Sequence, residues 1–446
     1  MADLADYREA LLAPQPFWAT LSPTTVKQRI EQLLAAPDSA ALVQALSPVE
    51  YTVLLKAAPD MRAMLLQLGH PEQIRTVLDL DCWHKDTLQS PRVLEWLEAL
   101  QHSGEDICVQ TLQALDSEML SVVLHRHIRV NAAPPSEEEE DPGPYDEVLS
   151  NELYRVTFID PDSPLNEHVA EFLRLLRMTD LDLYYSLMQG TMWAEESDLE
   201  EWAYRWRTGR LQDEGIPDYH EALEAYHVVA VEPLDALPPV PLEPPGVPAS
   251  AEESGLVPSY AWSLTPSGSL LAQALQGDFT PATLERLCWE MVSLCNKAVV
   301  LDQVDFADTT AVRASLECVH AYVNIGLEYL SNQVPRQLVP LLTERSLLSI
   351  CQVGFSLSMR LRQRASYLQV HLNGAAGVRR ALPGLARYVV DGLLQTTWHP
   401  QFFVGLESPG DIVYRDFLRF QDIRLVDAVL QSLEHDPAYG LLRQAA

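Results

Sequence analysis

Between residues 20 and 130 the apolar positions come in short bursts at helical spacing, such as Val53-Leu54-Leu55 and Val93-Leu94-Trp96-Leu97. Each burst follows a turn that ends in proline: Leu21-Ser22-Pro23, Leu46-Ser47-Pro48, Gly69-His70-Pro71 and Gln89-Ser90-Pro91. A proline in the first helical turn gives up an N–H that has no partner there anyway, so these sites read as helix starts. The prolines at 23, 48, 71 and 91 are separated by 25, 23 and 20 residues. That period suits helix-turn-helix units stacked into a right- or left-handed superhelix.

Further on, Leu153 to Ile159 alternates and is rich in β-formers, which predicts a lone strand. Asn166 to Met178 and Leu181 to Gln189 read as helices. Glu195 to Thr208 reads as another, with acids in its first turn and Gly209 placed to end it. On it Leu199, Trp202 and Trp206 fall at i, i+3 and i+7, an apolar stripe that reads as core. Asp218 is placed to cap a helix running from Tyr219 to Val229. The C-terminal region predicts long amphipathic helices over Pro281–Leu301 and Ala311–Leu330. A third starts at Gln337 or Pro340 and runs toward Leu372, and others cover Leu385–Thr396 and Asp411–Leu433.

The expected fold is therefore mainly α: a superhelix of short helices, then a C-terminal helical bundle, with at most a minor strand component between. Two composition breaks set the domain limits. Residues 131–147 hold the acidic block Glu137 to Asp141 between prolines, which repels itself and reads as a linker. Residues 232–260 include seven prolines by Glu253 and read as a polyproline-like spacer. The expected division is 1–130, linker 131–147, an acidic middle segment 148–231, linker 232–260, and a bundle 261–446.

The formal charge of −32 changes the picture through its distribution. The net is −7 over residues 1–130, −23 over 131–260 and −2 over 261–446. A surface this acidic repels phosphate backbones, so nucleic acid and anionic membranes are not expected partners. The longest apolar run, Ser346 to Met359, is too short to span a bilayer, and the opening residues show no signal-peptide pattern. Six scattered cysteines without a CxxC pair fit a reducing, cytoplasmic setting.

Candidate chemistry centres on the stretch from Glu200 to Asp218, where Arg205, Arg207 and Arg210 supply three of the six bases in residues 131–260. With Trp202 and Trp206 they are candidate ligand-binding residues for a phosphate or carboxylate. The competing reading is structural: Arg205 pairs with Glu201 one turn back, and acids from Asp213 and Glu214 to the N-terminal repeats satisfy the others. His220, Glu224 and His227 fall at i, i+4 and i+7 and are candidate metal ligands, though one helix gives three ligands at most and a solvated face explains the same residues. Asp79, Asp81, His84 and Asp86 lack the spacing of a calcium loop and read as a capped turn between repeat helices. A second basic group, Arg360, Arg362, Arg364, Arg379 and Arg380, suits docking of the acidic middle third or an anionic ligand. There is no nucleophile elbow, Walker loop, dinucleotide fingerprint or zinc-protease motif, and no cofactor is expected.

Two resemblances accompany these residues. The run from Gln44 to Leu80 resembles the cytosolic superhelical domain of bacterial magnesium transporters, whose short helices begin after similar Ser-Pro turns. The nucleotide-sensing and membrane domains that follow in those transporters have no counterpart here, so transport is not implied. The stretches 78–88 (LDLDCWHKDTL) and 204–223 (YRWRTGRLQDEGIPDYHEAL) are similar to an uncharacterised bacterial family of unknown function, and that likeness implies no activity. The reading that follows is a non-catalytic cytoplasmic scaffold that binds protein partners through its superhelix. The alternative is an anion-binding protein or enzyme using the three arginines or the His220–Glu224–His227 set.

Overall fold

The computed structural model describes residues 23–133, 152–231 and 265–435, apart from 47, 267, 306 and 409. Among these the chain is mainly α, with three small two-stranded sheets. They divide into two compact units, 23–218 with 305–310, and 219–304 with 311–435.

The first unit opens with short helices: α1 (Pro23–Ala35), α2 (Ser39–Gln44), α3 (Pro48–Ala57), α4 (Arg62–Leu68), α5 (Pro71–Asp81), α6 (Ser90–Gln101), α7 (Glu105–Ala114) and α8 (Ser117–His127). Prolines stand in the first turns of α1, α3, α5 and α6, as their spacing predicts. At α5 the start is doubly capped. The His70 ring accepts from the Glu72 amide at 3.4 Å, and Gln73 accepts from the His70 amide at 3.3 Å. Gln73 also donates to the carbonyls of Val43 and Leu46, both at 3.1 Å, which ties α5 to the end of α2. Leu54, Leu55, Leu65, Ile74, Val77 and Val93 are fully buried between these helices.

Three more helices complete this unit: α9 (Asn166–Thr179), α10 (Leu181–Trp193) and α11 (Glu196–Asp213). Met119 to Leu124 are buried on every side of α8, which packs against α10 and α11. Between α5 and α6 a hairpin pairs β1 (Trp83–His84) with β2 (Thr87–Leu88). A second pairs β3 (Ile128–Ala132) with β4 (Tyr154–Phe158), Ile128 opposite Phe158 and Ala132 opposite Tyr154. The strand expected to stand alone therefore has a partner, and residues on both sides of the acidic stretch fall in one compact unit. Residues 134–147 of that stretch and the segment 232–260 lie outside the described residues.

In the second unit, α12 (Tyr219–Ala222) and α13 (Leu270–Ala274) precede the long helices α14 (Pro281–Leu301) and α15 (Thr309–Leu330). Then come α16 (Leu338–Glu344), α17 (Leu347–His371), α18 (Ala375–Ala381), α19 (Gly384–Leu393), β5 (Gln401–Phe403), β6 (Tyr414–Asp416) and α20 (Phe420–His435). Helices α15 and α17 cross with their backbones in contact. A Cβ at Gly326 would lie 2.1 Å from the Ile350 carbonyl oxygen, and one at Gly354 2.0 Å from that of Tyr322. Only glycine permits that approach.

Two predicted helices of the C-terminal region are corrected. The third long helix breaks at Arg345–Ser346, where the Ser346 hydroxyl accepts from the Ser349 amide at 3.2 Å and starts α17 afresh. The stretch Asp411–Leu433 is not one helix: Tyr414–Asp416 pairs with Gln401–Phe403. Helix α20 starts later, where the buried Asp422 carboxylate accepts from the Leu418 amide at 2.9 Å and from Arg415 at 2.7 Å. Of the second basic group, Arg364 binds Glu434 at 2.7 and 3.0 Å and also Asp427. Arg362 donates to the carbonyls of Gln395, Thr397 and Trp398. No single described helix is long and apolar enough to cross a membrane; α7 and α8 pass that test only as a pair, bent by 96°.

Candidate functional site

The stretch 78–88 and residues 204–218 of the stretch 204–223, both singled out from the sequence, meet in the first unit. Asp79 lies in the last turn of α5 and is 1% exposed. Arg210 of α11 grips it with Nε at 2.8 Å and Nη2 at 2.9 Å. The same guanidinium holds Asp116, just before α8, at 2.9 and 2.6 Å. Burial alone would lower the Arg210 pKa, but the bonds to the two carboxylates outweigh it and the net shift is upward. A planar five-donor fork suits this double grip in a way an ammonium would not.

That grip needs α11 to stay helical past Gly209, and it does. The predicted stop is replaced by one at Gly215, whose φ of 73° is the left-handed turn. The other end of α11 is held from α8. Arg126 binds Glu196 at 2.6 Å and Glu200 at 2.8 Å and donates to the Leu88 carbonyl at 2.6 Å. Glu200 in turn accepts from the Leu88 amide at 2.7 Å, which secures the β1–β2 hairpin.

These contacts fix the rotation of α11 and overturn the core reading of its tryptophans. Leu199, Ala203 and Leu211 fill the buried face, while Trp202 and Trp206 are 51% and 54% exposed. Arg205 lies on that outward side. Its guanidinium stands 5.3 Å from the Trp202 ring centroid, and no ion pair with Glu201 forms. Gly209 shares this face, and a Cβ there would meet nothing within 4 Å.

Arg207 differs from both neighbours. Its Nε donates to the Asp79 carbonyl at 2.7 Å, at the C-terminal end of α5. Its guanidinium lies 5.4 Å from the Trp83 ring and 5.8 Å from the Tyr204 ring. Among the described residues no carboxylate reaches it at ion-pair distance. Burial lowers its pKa, and Asp79, Tyr204 and Asp218 oppose that only in part. Around it, Trp83 Nε1, the Tyr204 hydroxyl and Thr208 Oγ1 are buried atoms without a hydrogen-bond partner.

The remaining candidates lie elsewhere. The helix expected from Tyr219 to Val229 ends at Ala222 and becomes a 3₁₀ turn over Leu223–Tyr226, which carries Tyr226 into the core beside Phe355. His220, Glu224 and His227 thus share no continuous helix face, and Glu224 binds Lys297 at 2.7 Å. Asp79 and Asp81 do not cap a turn. Asp81 pairs with Lys56 and accepts from Trp96 Nε1 at 2.9 Å.

Sequence reasoning missed Asp116, Arg126 and Trp83 as parts of this junction; the only available signal was that Trp83 stands inside the 78–88 stretch. It also missed a polar cluster in the second unit. His399 bridges Asp302 at 3.1 Å and the Tyr322 hydroxyl at 3.2 Å, and Ser315 donates to Asp302 at 2.5 Å. Tyr322 and the neighbouring Tyr226 are buried, with pKa values pushed well up by burial, while His399 and Asp302 keep 13% and 15% of their side chains exposed. All six cysteines are free and buried, and burial pushes the thiols of Cys288 and Cys351 to about 12, too high to serve as nucleophiles.

Fold and site together define a mainly α-helical protein whose central junction is an arginine–carboxylate clamp walled by aromatic rings. Residues 8–436 match the model of a family described as a family of unknown function (DUF6178), and the chain belongs to that family. No curated protein and no solved structure matches it.

Proposed function

We propose that this protein is a non-catalytic, cytoplasmic interaction module that engages a protein partner through the outward face of α11. The observation that carries the reading is the half-exposed pair Trp202 and Trp206, one turn apart, with Arg205 beside them. Tryptophan and arginine are the residue types that dominate binding energy at protein interfaces. Large aromatics left together in water are otherwise uncommon. Glu195, just before this helix, and Asp198 and Glu201 in its first turns are exposed, so the complementary partner is a segment that is both basic and apolar. The free buried thiols fit a reducing compartment.

The test uses two synthetic helical peptides with one apolar pattern, the first lysine-rich and the second glutamate-rich. The lysine-rich peptide is expected to blue-shift tryptophan emission and protect it from acrylamide. Replacing either Trp202 or Trp206 by serine is expected to weaken binding at least about 30-fold, with the melting temperature unchanged. Equal binding of both peptides, or unchanged affinity in the double variant, would refute the reading.

A further inference from the structure

The geometry points to a binding site for a small carboxylate at Arg207, on the flank of α11 turned away from Trp202, formed by Trp83, Tyr204, Arg207 and Thr208. Donors outnumber acceptors there. An indole N–H and a guanidinium can only donate, and a hydroxyl can donate or accept. Trp83 Nε1, the Tyr204 hydroxyl and Thr208 Oγ1 are all buried without a partner, and buried polar groups are paired in the great majority of cases. The two hydroxyls could satisfy each other, but that leaves the indole and the outer nitrogens of Arg207 without an acceptor.

Of the nearby acceptors, the groups of Asp79 and Glu200 are already engaged, and neither Asp86 nor Asp218 reaches Arg207 at ion-pair distance. The Asp79 carboxylate serves Arg210, its carbonyl serves the Nε of Arg207, and Glu200 serves Leu88 and Arg126. A ligand with several lone pairs in one plane meets the need, and a guanidinium matches a carboxylate edge to edge. Phosphate fits less well. There is one guanidinium, and Asp86 and Asp218 lie near enough to raise the Tyr204 pKa together with burial; a dianion would meet their repulsion. The Trp83 and Tyr204 rings touch each other, with centroids 5.8 Å apart and planes tilted by 56°, and form one apolar wall beside Arg207 against which the short apolar body of an organic acid can lie.

The site is tested on the full chain by ligand-observed NMR titration with acetate, succinate and inorganic phosphate at matched ionic strength. Saturable binding of acetate or succinate is expected, with phosphate at least about tenfold weaker. Tyr204→Phe keeps its ring and Trp83→Phe keeps a smaller one; each removes one donor, and each is expected to weaken carboxylate binding about tenfold. Without ligand Tyr204→Phe is expected to melt close to the parent, whereas Trp83→Phe also shrinks a buried side chain and is expected to melt lower, so binding is compared at a temperature where both variants are folded. Replacing Trp202 and Trp206 by serine leaves this binding unchanged, which separates it from the protein-docking face. No saturable carboxylate binding, phosphate binding as tightly as carboxylate, or full affinity in both phenylalanine variants overturns the assignment.

Discussion

Arg210 binds Asp79 across 131 residues of sequence through two bonds, of 2.8 and 2.9 Å, and the acid is all but inaccessible to water. This pair fixes where α11 sits on the N-terminal helices and therefore which of its side chains face solvent.

Removing the guanidinium would leave a buried carboxylate with no countercharge. Arg210→Met is expected to destabilise the first unit by about 3–5 kcal/mol, read as a lower urea midpoint. Arg210→Lys is expected to recover only part of this, because an ammonium cannot bind Asp79 and Asp116 edge-on together. A loss below about 1 kcal/mol for the methionine variant would mean the clamp does not hold α11.

Two glycines should respond in opposite directions to alanine. Gly326→Ala pushes a methyl into the Ile350 carbonyl and is expected to cost about 3 kcal/mol. Gly209→Ala stands in open space within a helix and is expected to gain about 0.5–1 kcal/mol. Paired thermal melts decide both.

His127 should make stability depend on pH. Burial, with Arg126 adding to it, lowers its pKa below the ordinary 6.5, and its Nε2 is buried without a partner. The unfolded chain therefore takes up a proton at a higher pH than the fold does. The stabilisation from neutral His127 is present above about 6.5 and is lost as the pH falls through the lowered value. His127→Gln is expected to flatten the decline in urea midpoint between about pH 7.5 and 5.5; an identical slope in both proteins would exclude this residue as a cause.

Helix starts were legible wherever proline follows a turn, because a local steric rule sets them. Ends and rotations were not. Gly209 reads as a stop, yet the distant bonds of Arg210 keep the chain helical there, and those bonds involve Asp79 and Asp116, which no local pattern connects to α11. The outward turn of Trp202 and Trp206 follows from the same contacts, so an apolar stripe suggested the wrong face. The partner of the Leu153–Ile159 strand was hidden because Ile128–Ala132 continues directly from a helix, with no turn residue between them. Both motifs of the candidate site stood out in the sequence; that Trp83 would rest against Arg207 depends on tertiary packing alone.

Helix α11 is anchored at both ends, by Arg126 near its start and by Arg210 near its finish. Its aromatic side chains thus project from a stiffened rod. A partner meeting that surface would have little backbone freedom left to quench, and association would draw on preorganisation rather than on fresh ordering of the chain.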